Sequence, residues 1–421
     1  MIKNFTIGAL AMTFSLSAFA QEPVNNEAIQ KIRKEGLENS KVMDIAFQIT
    51  DVIGPRLANS PGIKKGRDWA VKYFTDLGLK NAKQESWGDF GKGWSVEKYY
   101  AATTAPFYRP IIGYPKAWTP GTNGPIKSEV ILVKADTVTD LEKYKGKLAG
   151  KIVVIESVMV QPLKNSYTPD VTRYTDEKLA EMAAAEPAAP RQARPGGNSN
   201  QMAMMMRMRQ NRAAINEMLL QEKVGLILTY ARGNYGTFFT SNGASYAVDA
   251  KPVAPELEVS AEDFLHILRL LRGGQKVEVE AEVKTTFYPQ DVKGYNVIAE
   301  IPGTDKKLKD EIVMLGGHFD SWQSGTGATD NAAGSIVMIE VMRILKAIDF
   351  KPKRTIRIAL WDAEEQGLHG SRGYVKQHFA DPTKMELLPE HGKLSAYYNL
   401  DNGTGAVRGI YLQGNAGARD I

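Results

Sequence analysis

Four short apolar segments in the last third of the chain constrain its fold more than any other feature. Their composition is typical of buried strands, at Asn296–Ile301, Ile312–Gly316, Thr355–Trp361 and Ala396–Leu400. Between the second and the third lies Ala332–Ile348, where apolar residues recur at helical spacing. Strands separated by helices indicate a mixed, mostly parallel sheet flanked by helices, which binds its ligands at the carboxyl ends of the strands. We therefore expect an α/β fold with a site at that edge.

One histidine and five acidic residues lie just past these strands or at the start of the helix: His318, Asp320, Asp330, Glu364, Glu365 and Asp401. In an extended segment His318 and Asp320 point the same way, so the carboxylate can orient the imidazole. Asp330 lies at the start of the helix, whose positive end favours an anion. Glu364 and Glu365 project in different directions, so that one can bind a metal while the other reaches a water molecule. Imidazole and carboxylate groups in this pattern indicate a divalent metal site, zinc above all.

Each of these residues also has a purely structural interpretation, as a hydrogen-bonded histidine, a helix cap or a solvated pair of glutamates. A serine hydrolase is another alternative, but His369–Gly373 lacks the leading glycine of the G-x-S-x-G motif. Gly325–Asp330 likewise fails the dinucleotide-binding fingerprint at its last position. Metal-type side chains at three successive strand ends favour the metal site.

Composition excludes several classes of protein. The chain has 421 residues, of which 43% are hydrophobic and 24% charged, as in an ordinary soluble globular protein. The net charge of +5 gives no indication of nucleic-acid binding. Because the chain has no cysteine, it can form no disulfide, no cysteine-ligated zinc site and no thiol nucleophile.

Residues 1–20 are typical of a secretory signal peptide. Lys3 supplies the positive charge, Ile7–Phe19 the apolar core and Ala18–Ala20 the cleavage motif. The core is shorter than the roughly 20 apolar residues of a membrane-spanning helix. We therefore expect a mature protein that is secreted or periplasmic and has no membrane anchor.

The order of the metal-type segments resembles that of the M28 family of metallopeptidases. In that family the segments run His-x-Asp, Asp-Asn, Glu-Glu and Asp, and here they lie at 318–320, 330–331, 364–365 and 401. The resemblance implies a zinc exopeptidase that acts on peptides or dipeptides. Which end of the substrate is cleaved stays open, so aminopeptidase, dipeptidase and carboxypeptidase are all kept.

Further segments are similar to one branch of this family. Residues 53–57 and 90–94 resemble carboxypeptidase Q, and residues 145–154 resemble the protease-associated (PA) domain that interrupts such enzymes. We therefore predict that residues 21–125 form the N-terminal part of the peptidase domain and residues 126–283 a PA-like α/β insert. Residues 284–421 then form the catalytic part.

The family's site implies two zinc ions. His318 and Asp401 would bind one zinc, Glu365 would bind the other, and Asp330 would bridge the two. Glu364 would be the general base that takes a proton from the metal-bridging water. Asp320 would steer His318.

The sequence departs from the family pattern at one ligand. The family has a fifth ligand, a histidine well beyond the aspartate that Asp401 matches, and none of the five histidines follows Asp401. We therefore expect a sequence that lacks the C-terminal part of its catalytic domain. A non-catalytic binding protein with a peptidase fold and an incomplete metal site is the alternative. The oligomeric state is open, with a homodimer as one arrangement.

Overall fold

The computed structural model describes residues 25–134, 138–156, 160, 163, 171–185, 206, 211, 213–237, 239–403 and 405–418. The predicted signal peptide, residues 1–20, lies outside the described residues. Within the described ranges, each helix is too short or too polar to cross a lipid bilayer.

The described chain contains both strands and helices. In chain order the strands are β1 (Lys80–Asp89), β2 (Gly93–Ala105), β3 (Arg109–Pro110), β4 (Gly113–Pro115), β5 (Ile126–Lys134), β6 (Ile152–Glu156), β7 (Leu226–Tyr230), β8 (Glu256–Val259), β9 (Glu278–Tyr288), β10 (Lys293–Ile301), β11 (Ile312–His318), β12 (Thr355–Trp361), β13 (Ala380–Asp381), β14 (Glu386–Leu387) and β15 (Leu394–Asn399). The helices with described bounds are α1 (Asn26–Glu38), α2 (Val42–Phe47), α3 (Pro61–Asp76), α4 (Asp176–Ala184), α5 (Ala261–Arg272), α6 (Ala333–Ala347) and α7 (His369–His378). Shorter helical turns lie at Gln48–Ile53, Val138–Tyr144, Ala328–Ala332, His391–Lys393 and Ala416–Ala418.

A five-stranded sheet has the order β1-β10-β12-β11-β15. β11 pairs in parallel with both β12 and β15, whereas β10 pairs antiparallel with β12 and β1. The predicted mixed α/β fold is therefore confirmed, although antiparallel pairings are as frequent as parallel ones in this sheet. The reason is the connection of residues 302–311 between β10 and β11, which is too short and contains no helix to serve as a parallel crossover.

Helices cover both faces of this sheet. Val297, Ala299 and Ile301 of β10 belong to the core formed with α3 and α6, whereas Ile298 packs with Tyr374 of α7 in a second core. Successive side chains of a strand point to opposite faces, so the alternating burial of β10 requires an apolar layer on each side.

Helix α3 begins where the sequence supplies capping signals. The Ser60 side chain accepts a hydrogen bond from the Ile63 N–H (3.3 Å), and Pro61 occupies the first helical position. The buried face of the helix includes Ile63, Ala70 and Phe74, which pack against the sheet. This packing holds the chain that precedes α3 close to the carboxyl end of β11.

A second, eight-stranded sheet has the order β3-β2-β9-β5-β6-β7-β8-β4. Strands β5 to β8 are parallel, and antiparallel strands flank them on each side. The sheet takes in β2, which precedes residue 126, and β9, which extends to Tyr288. The division at residues 126 and 283 stays a prediction.

Candidate metal centre

His318 is the last residue of β11 and is almost fully buried, with 2% of its surface exposed. The Ser335 hydroxyl at the start of α6 donates to the His318 carbonyl (2.8 Å). On one side of the ring, Nδ1 lies 3.0 Å from the Asp320 carbonyl oxygen and 3.5 Å from Asp320 Oδ1. These contacts leave Nε2 to face the acidic residues.

Carboxylates from three further segments surround His318 Nε2. Asp330 Oδ1 lies at 3.0 Å, Asp401 Oδ1 at 3.4 Å and Glu364 Oε2 at 3.9 Å. Glu365 completes the group, since ligand atoms of His318, Asp330 and Glu365 all lie within 4.8 Å of one another. The structure thus brings together the residues that the sequence pattern selected from positions 318 to 401.

Asp320 connects the ends of two neighbouring strands. Its carboxylate is completely buried and accepts hydrogen bonds from the backbone N–H groups of Glu364 (3.1 Å) and Glu365 (3.3 Å). Because β11 and β12 are parallel neighbours, their carboxyl ends lie side by side. Asp320 therefore fixes the two glutamates relative to His318, a contact that the sequence analysis did not foresee.

Asp330 lies in the short turn Ala328–Ala332 that leads into α6, and its peptide bond to Asn331 is cis. The Asn331 side chain donates to the Leu400 carbonyl (2.8 Å) and accepts from the Gly334 N–H (2.9 Å). Asn331 therefore ties the start of α6 to the residue that precedes Asp401. Its position beside Asp330 was visible in the sequence, but its partners were not.

Trp322 is a further residue that the sequence analysis missed. Its indole N–H donates to Glu365 Oε2 (2.8 Å), and its ring packs edge-on against Trp118, with 6.3 Å between ring centroids. Nearby, the hydroxyl groups of Thr240 and Ser324 lie 2.7 Å apart. The loop that follows Asp320 thus contacts both the metal-type cluster and loops of the second sheet.

A buried ion pair lies next to the two glutamates. Arg67 of α3 contacts Asp362 Oδ2 at 3.2 Å, and both side chains are at most 5% exposed. Asp362 also accepts a hydrogen bond from the Tyr295 N–H (3.2 Å). Burial raises the pKa of Asp362 to about 6, with the Arg67 charge acting in the opposite direction. The sequence gave no indication that Asp362 pairs with Arg67, because the two residues are 295 positions apart.

The electrostatics of the glutamates suit a bound cation. Burial, together with the neighbouring carboxylates of Asp330 and Asp320, raises the pKa of Glu365 to about 8. Burial also raises the pKa of Glu364, with added repulsion from Asp320. Like charges held close together in a partly dry site disfavour ionisation, and a divalent cation relieves that repulsion.

The surroundings of His318 also shift the pKa of its imidazole. Burial by itself lowers its pKa, but hydrogen bonds with the carboxylates of Asp320, Asp330 and Asp401 outweigh burial and raise the pKa well above its usual value. A surplus of negative charge therefore surrounds one buried ring. One nitrogen donor with several carboxylate oxygens is a ligand set that suits zinc, so the residues present fit a metal centre.

The other histidines lie elsewhere in the fold. His369 contacts the Tyr246 hydroxyl (3.1 Å), and His378 lies between the carboxylates of Glu85 and Glu390. His266 is on α5 and His391 in the turn before β15. In the part of the chain that the structure describes, no second imidazole belongs to the cluster around His318.

Comparison with known proteins relates the part of the chain that contains this cluster to one family. Residues 296–420 match the sequence model of peptidase family M28. Carboxypeptidase Q of Mus musculus is 31% identical over 201 residues, which are 47% of this chain and 40% of that protein. The probable leucine aminopeptidase 2 of Arthroderma benhamiae is 40% identical over 147 residues, which are 35% of this chain and 26% of that protein. The matched part is thus less than half the length of either relative.

The crystal structure of a peptidase M28 precursor from Shewanella amazonensis has the same fold. It is 24% identical in sequence, covers 90% of this chain and 74% of its own, and superposes with a TM-score of 0.55. Its similarity covers most of this chain, whereas the family match is limited to the segment that contains the cluster around His318. Residues 296–420 of this chain are thus similar to peptidase family M28.

Proposed function

We propose that this protein is a zinc-dependent exopeptidase that hydrolyses peptide bonds. The observation that carries the proposal is the arrangement around His318 Nε2, where carboxylate oxygens of Asp330, Asp401 and Glu364 lie within 3.9 Å. The match of residues 296–420 to peptidase family M28 supports peptides as the proposed substrates.

In this proposal His318 and Asp401 would hold one zinc ion, Glu365 would hold a second, and Asp330 would be shared by both. The proximity of Asp330 to both His318 and Glu365 supports the bridging role. Zinc supplies Lewis-acid polarisation of a carbonyl group and a nucleophile at neutral pH. The fifth ligand that the family resemblance implies has no counterpart among the described residues near His318.

Glu364 is the proposed general base. Its side chain is 27% exposed, so a substrate can reach it, and burial of the rest raises its pKa. A carboxylate with a raised pKa holds an abstracted proton better and can deliver it to the departing amine. Its backbone N–H is fixed by Asp320, which limits how far the base can move.

Asp320 is the proposed orienting residue of the site. Its carbonyl and carboxylate both face His318 Nδ1, which keeps Nε2 directed at the metal position. It also holds the backbone of Glu364 and Glu365. Asp320 therefore orients the imidazole and the two glutamates together.

The remaining parts of the proposal concern the whole protein. We propose that substrates are peptides or dipeptides and that the mature protein is secreted or periplasmic. The names of the relatives include a carboxypeptidase and an aminopeptidase, so the end that is cleaved stays open. We keep residues 126–283 as a PA-like insert between the two predicted parts of the peptidase domain, and a homodimer as the assembly to test first.

The decisive experiment replaces the proposed base. Glu364→Gln should keep its zinc, because only the proton acceptor is lost, and should lower hydrolysis by about 10²- to 10⁴-fold. Zinc is measured by elemental analysis, and hydrolysis with a free dipeptide and with peptides blocked at either end. The matched control is Glu386→Gln, at an exposed position on β14, which should change neither quantity.

Two results would contradict the proposal. Full activity of Glu364→Gln would refute its role as the base. Fewer than one zinc ion per chain in the wild-type protein, together with absent hydrolysis, would favour the alternative of a non-catalytic binding protein.

A further inference from the structure

Arg56 is a completely buried arginine beside the metal-type cluster. It lies between the turn Gln48–Ile53 and α3. Within the described ranges, every hydrogen bond of its guanidinium group goes to a backbone carbonyl: Phe319 at 2.7 Å, Gly54 at 2.8 Å, Ile49 at 3.4 Å, Thr326 at 2.7 Å and Gly327 at 3.2 Å. A buried guanidinium group without a bonded carboxylate is costly, so its position calls for an explanation.

Three of the five accepting carbonyls lie at the two ends of one loop. Phe319 directly follows His318, whereas Thr326 and Gly327 directly precede the turn that carries Asp330. A single side chain thus joins the two chain segments that place an imidazole and a carboxylate 3.0 Å apart. We name residues 319–327 the bridging loop.

The backbone of Arg56 adds a second attachment. Its N–H donates to the Ser321 hydroxyl (3.1 Å), and its carbonyl accepts from the Ser321 N–H (3.1 Å). The guanidinium carbon also lies over the Phe319 ring, 5.5 Å from the ring centroid. Arg56 therefore contacts the bridging loop at its start, near its middle and at its end.

Gly327 shows how closely the loop approaches the guanidinium group. Its φ of +58° favours glycine, and a Cβ atom there would lie 2.9 Å from Arg56 Nη2 and 2.3 Å from Ser321 Cβ. The contact thus depends on a residue without a side chain at the loop end. Among the described residues, the negative charge that acts on Arg56 is that of Asp320, inside the cluster.

We propose that Arg56 is a positioning residue, which sets the distance between His318 and Asp330 by holding both ends of the bridging loop and thereby determines the metal affinity of the site. This inference rests on the proposed metal-dependent function. Lysine cannot replace arginine in this role, because a single ammonium group cannot span acceptors that the planar guanidinium group reaches with three nitrogens.

The test measures zinc affinity and amide hydrogen exchange in Arg56→Lys, using the full chain. Arg56→Lys should weaken zinc binding roughly 10- to 100-fold, the range found when groups behind metal ligands are changed. In the metal-free protein it should also accelerate exchange in the bridging loop. Arg343→Lys is the matched control, because Arg343 is similarly buried but pairs with Glu340 and Glu35. The control should change neither quantity.

Unchanged zinc affinity in Arg56→Lys would overturn the positioning role, even if exchange increased. If the wild-type protein bound no zinc, the proposed function would fail. The exchange measurement would then decide separately whether Arg56 holds the bridging loop, with unchanged exchange refuting it.

A second pair of variants covers the case in which Arg56→Lys does not fold. Gly327→Ala pushes the loop end away from the intact guanidinium group and should weaken zinc binding in the same range. Gly325→Ala is its control, because a Cβ atom there meets nothing within 4 Å. Equal zinc affinity of the two glycine variants would count against the proposal.

Discussion

The two sheets of this protein both contain parallel strands, but they use the carboxyl ends of those strands differently. In the eight-stranded sheet, β5 ends at Lys134 and β6 at Glu156, and these side chains pair at 3.4 Å. Arg272 also bonds to Glu156 (2.9 Å), so the carboxylate at this edge is paired with two cations. In the five-stranded sheet, the same edge gathers carboxylates around His318, and among the described residues no lysine or arginine forms an ion pair with Asp330, Glu364 or Asp401.

This difference shows which strand edge is suited to a ligand. Opposite charges that pair at a partly exposed edge contribute little to stability and need no bound ion to neutralise them. Like charges held together by buried contacts raise one another's pKa and favour a divalent cation. Both sheets have such an edge of parallel strand ends, and the side chains at the edge determine whether it can bind an ion.

The largest effect should separate the two edges by removing one carboxylate from each. Asp330→Ala removes the proposed bridging ligand and should lower zinc affinity more than about 100-fold, beyond the range for groups behind the ligands. Glu156→Ala is the matched change in the other sheet and should leave zinc affinity unchanged. Titration of each metal-free variant with zinc measures both. Equal affinities would break the contrast between the edges.

An intermediate effect should follow from breaking one buried ion pair in each region. Arg67→Met leaves Asp362 as an uncompensated buried charge, and Lys116→Met removes the cation that contacts Glu256 at 2.7 Å. Each change should lower the free energy of unfolding by about 3–5 kcal/mol. Denaturant unfolding measures this loss.

Zinc binding then separates the two ion-pair variants. Only Arg67→Met should also weaken zinc binding, because Asp362 precedes the two glutamates of the site in the chain. Weaker zinc binding in Lys116→Met would show that the two regions are coupled more tightly than we infer.

The smallest effect should come from Trp322, where the two regions meet. Trp322→Phe removes the indole N–H that donates to Glu365 and should weaken zinc binding about 10-fold, at the low end for a group that orients a ligand. Trp118→Phe is the control, since its indole N–H donates to the Lys92 carbonyl instead (2.9 Å). Zinc titration of the metal-free Trp322→Phe and Trp118→Phe variants compares their affinities. A loss of equal size in both variants would indicate that aromatic packing, rather than the hydrogen bond, supports Glu365.

Much of the five-stranded sheet could be predicted from the sequence. The expected strand Thr355–Trp361 is β12, and the expected helix Ala332–Ile348 differs from α6 only at its ends. Both are strongly apolar and periodic, so local pattern and burial agree. The antiparallel direction of β10 was not predicted, because strand direction depends on how the chain returns and not on which residues are apolar.

Some features of the candidate site could also be predicted from the sequence, and others could not. The residue types of His318 and Glu364 and their positions just past strands already indicated a metal centre. The contacts of Arg56, Arg67 and Trp322 with that centre carried no signal in the sequence. Their partners are in most cases hundreds of residues away or are backbone atoms, which every residue possesses.

The sequence by itself therefore determined the local elements and the chemical types of the ligands, since apolar periodicity and ionisable side chains are properties of neighbouring residues. Only the tertiary structure decided how those ligands converge. The parallel pairing of β11 with β12 and β15 places three strand ends together. Asp320 and Arg56 then fix the spacing of the site through buried hydrogen bonds. Such bonds depend on the path of the whole chain, which brings Arg56 against residues more than 260 positions away.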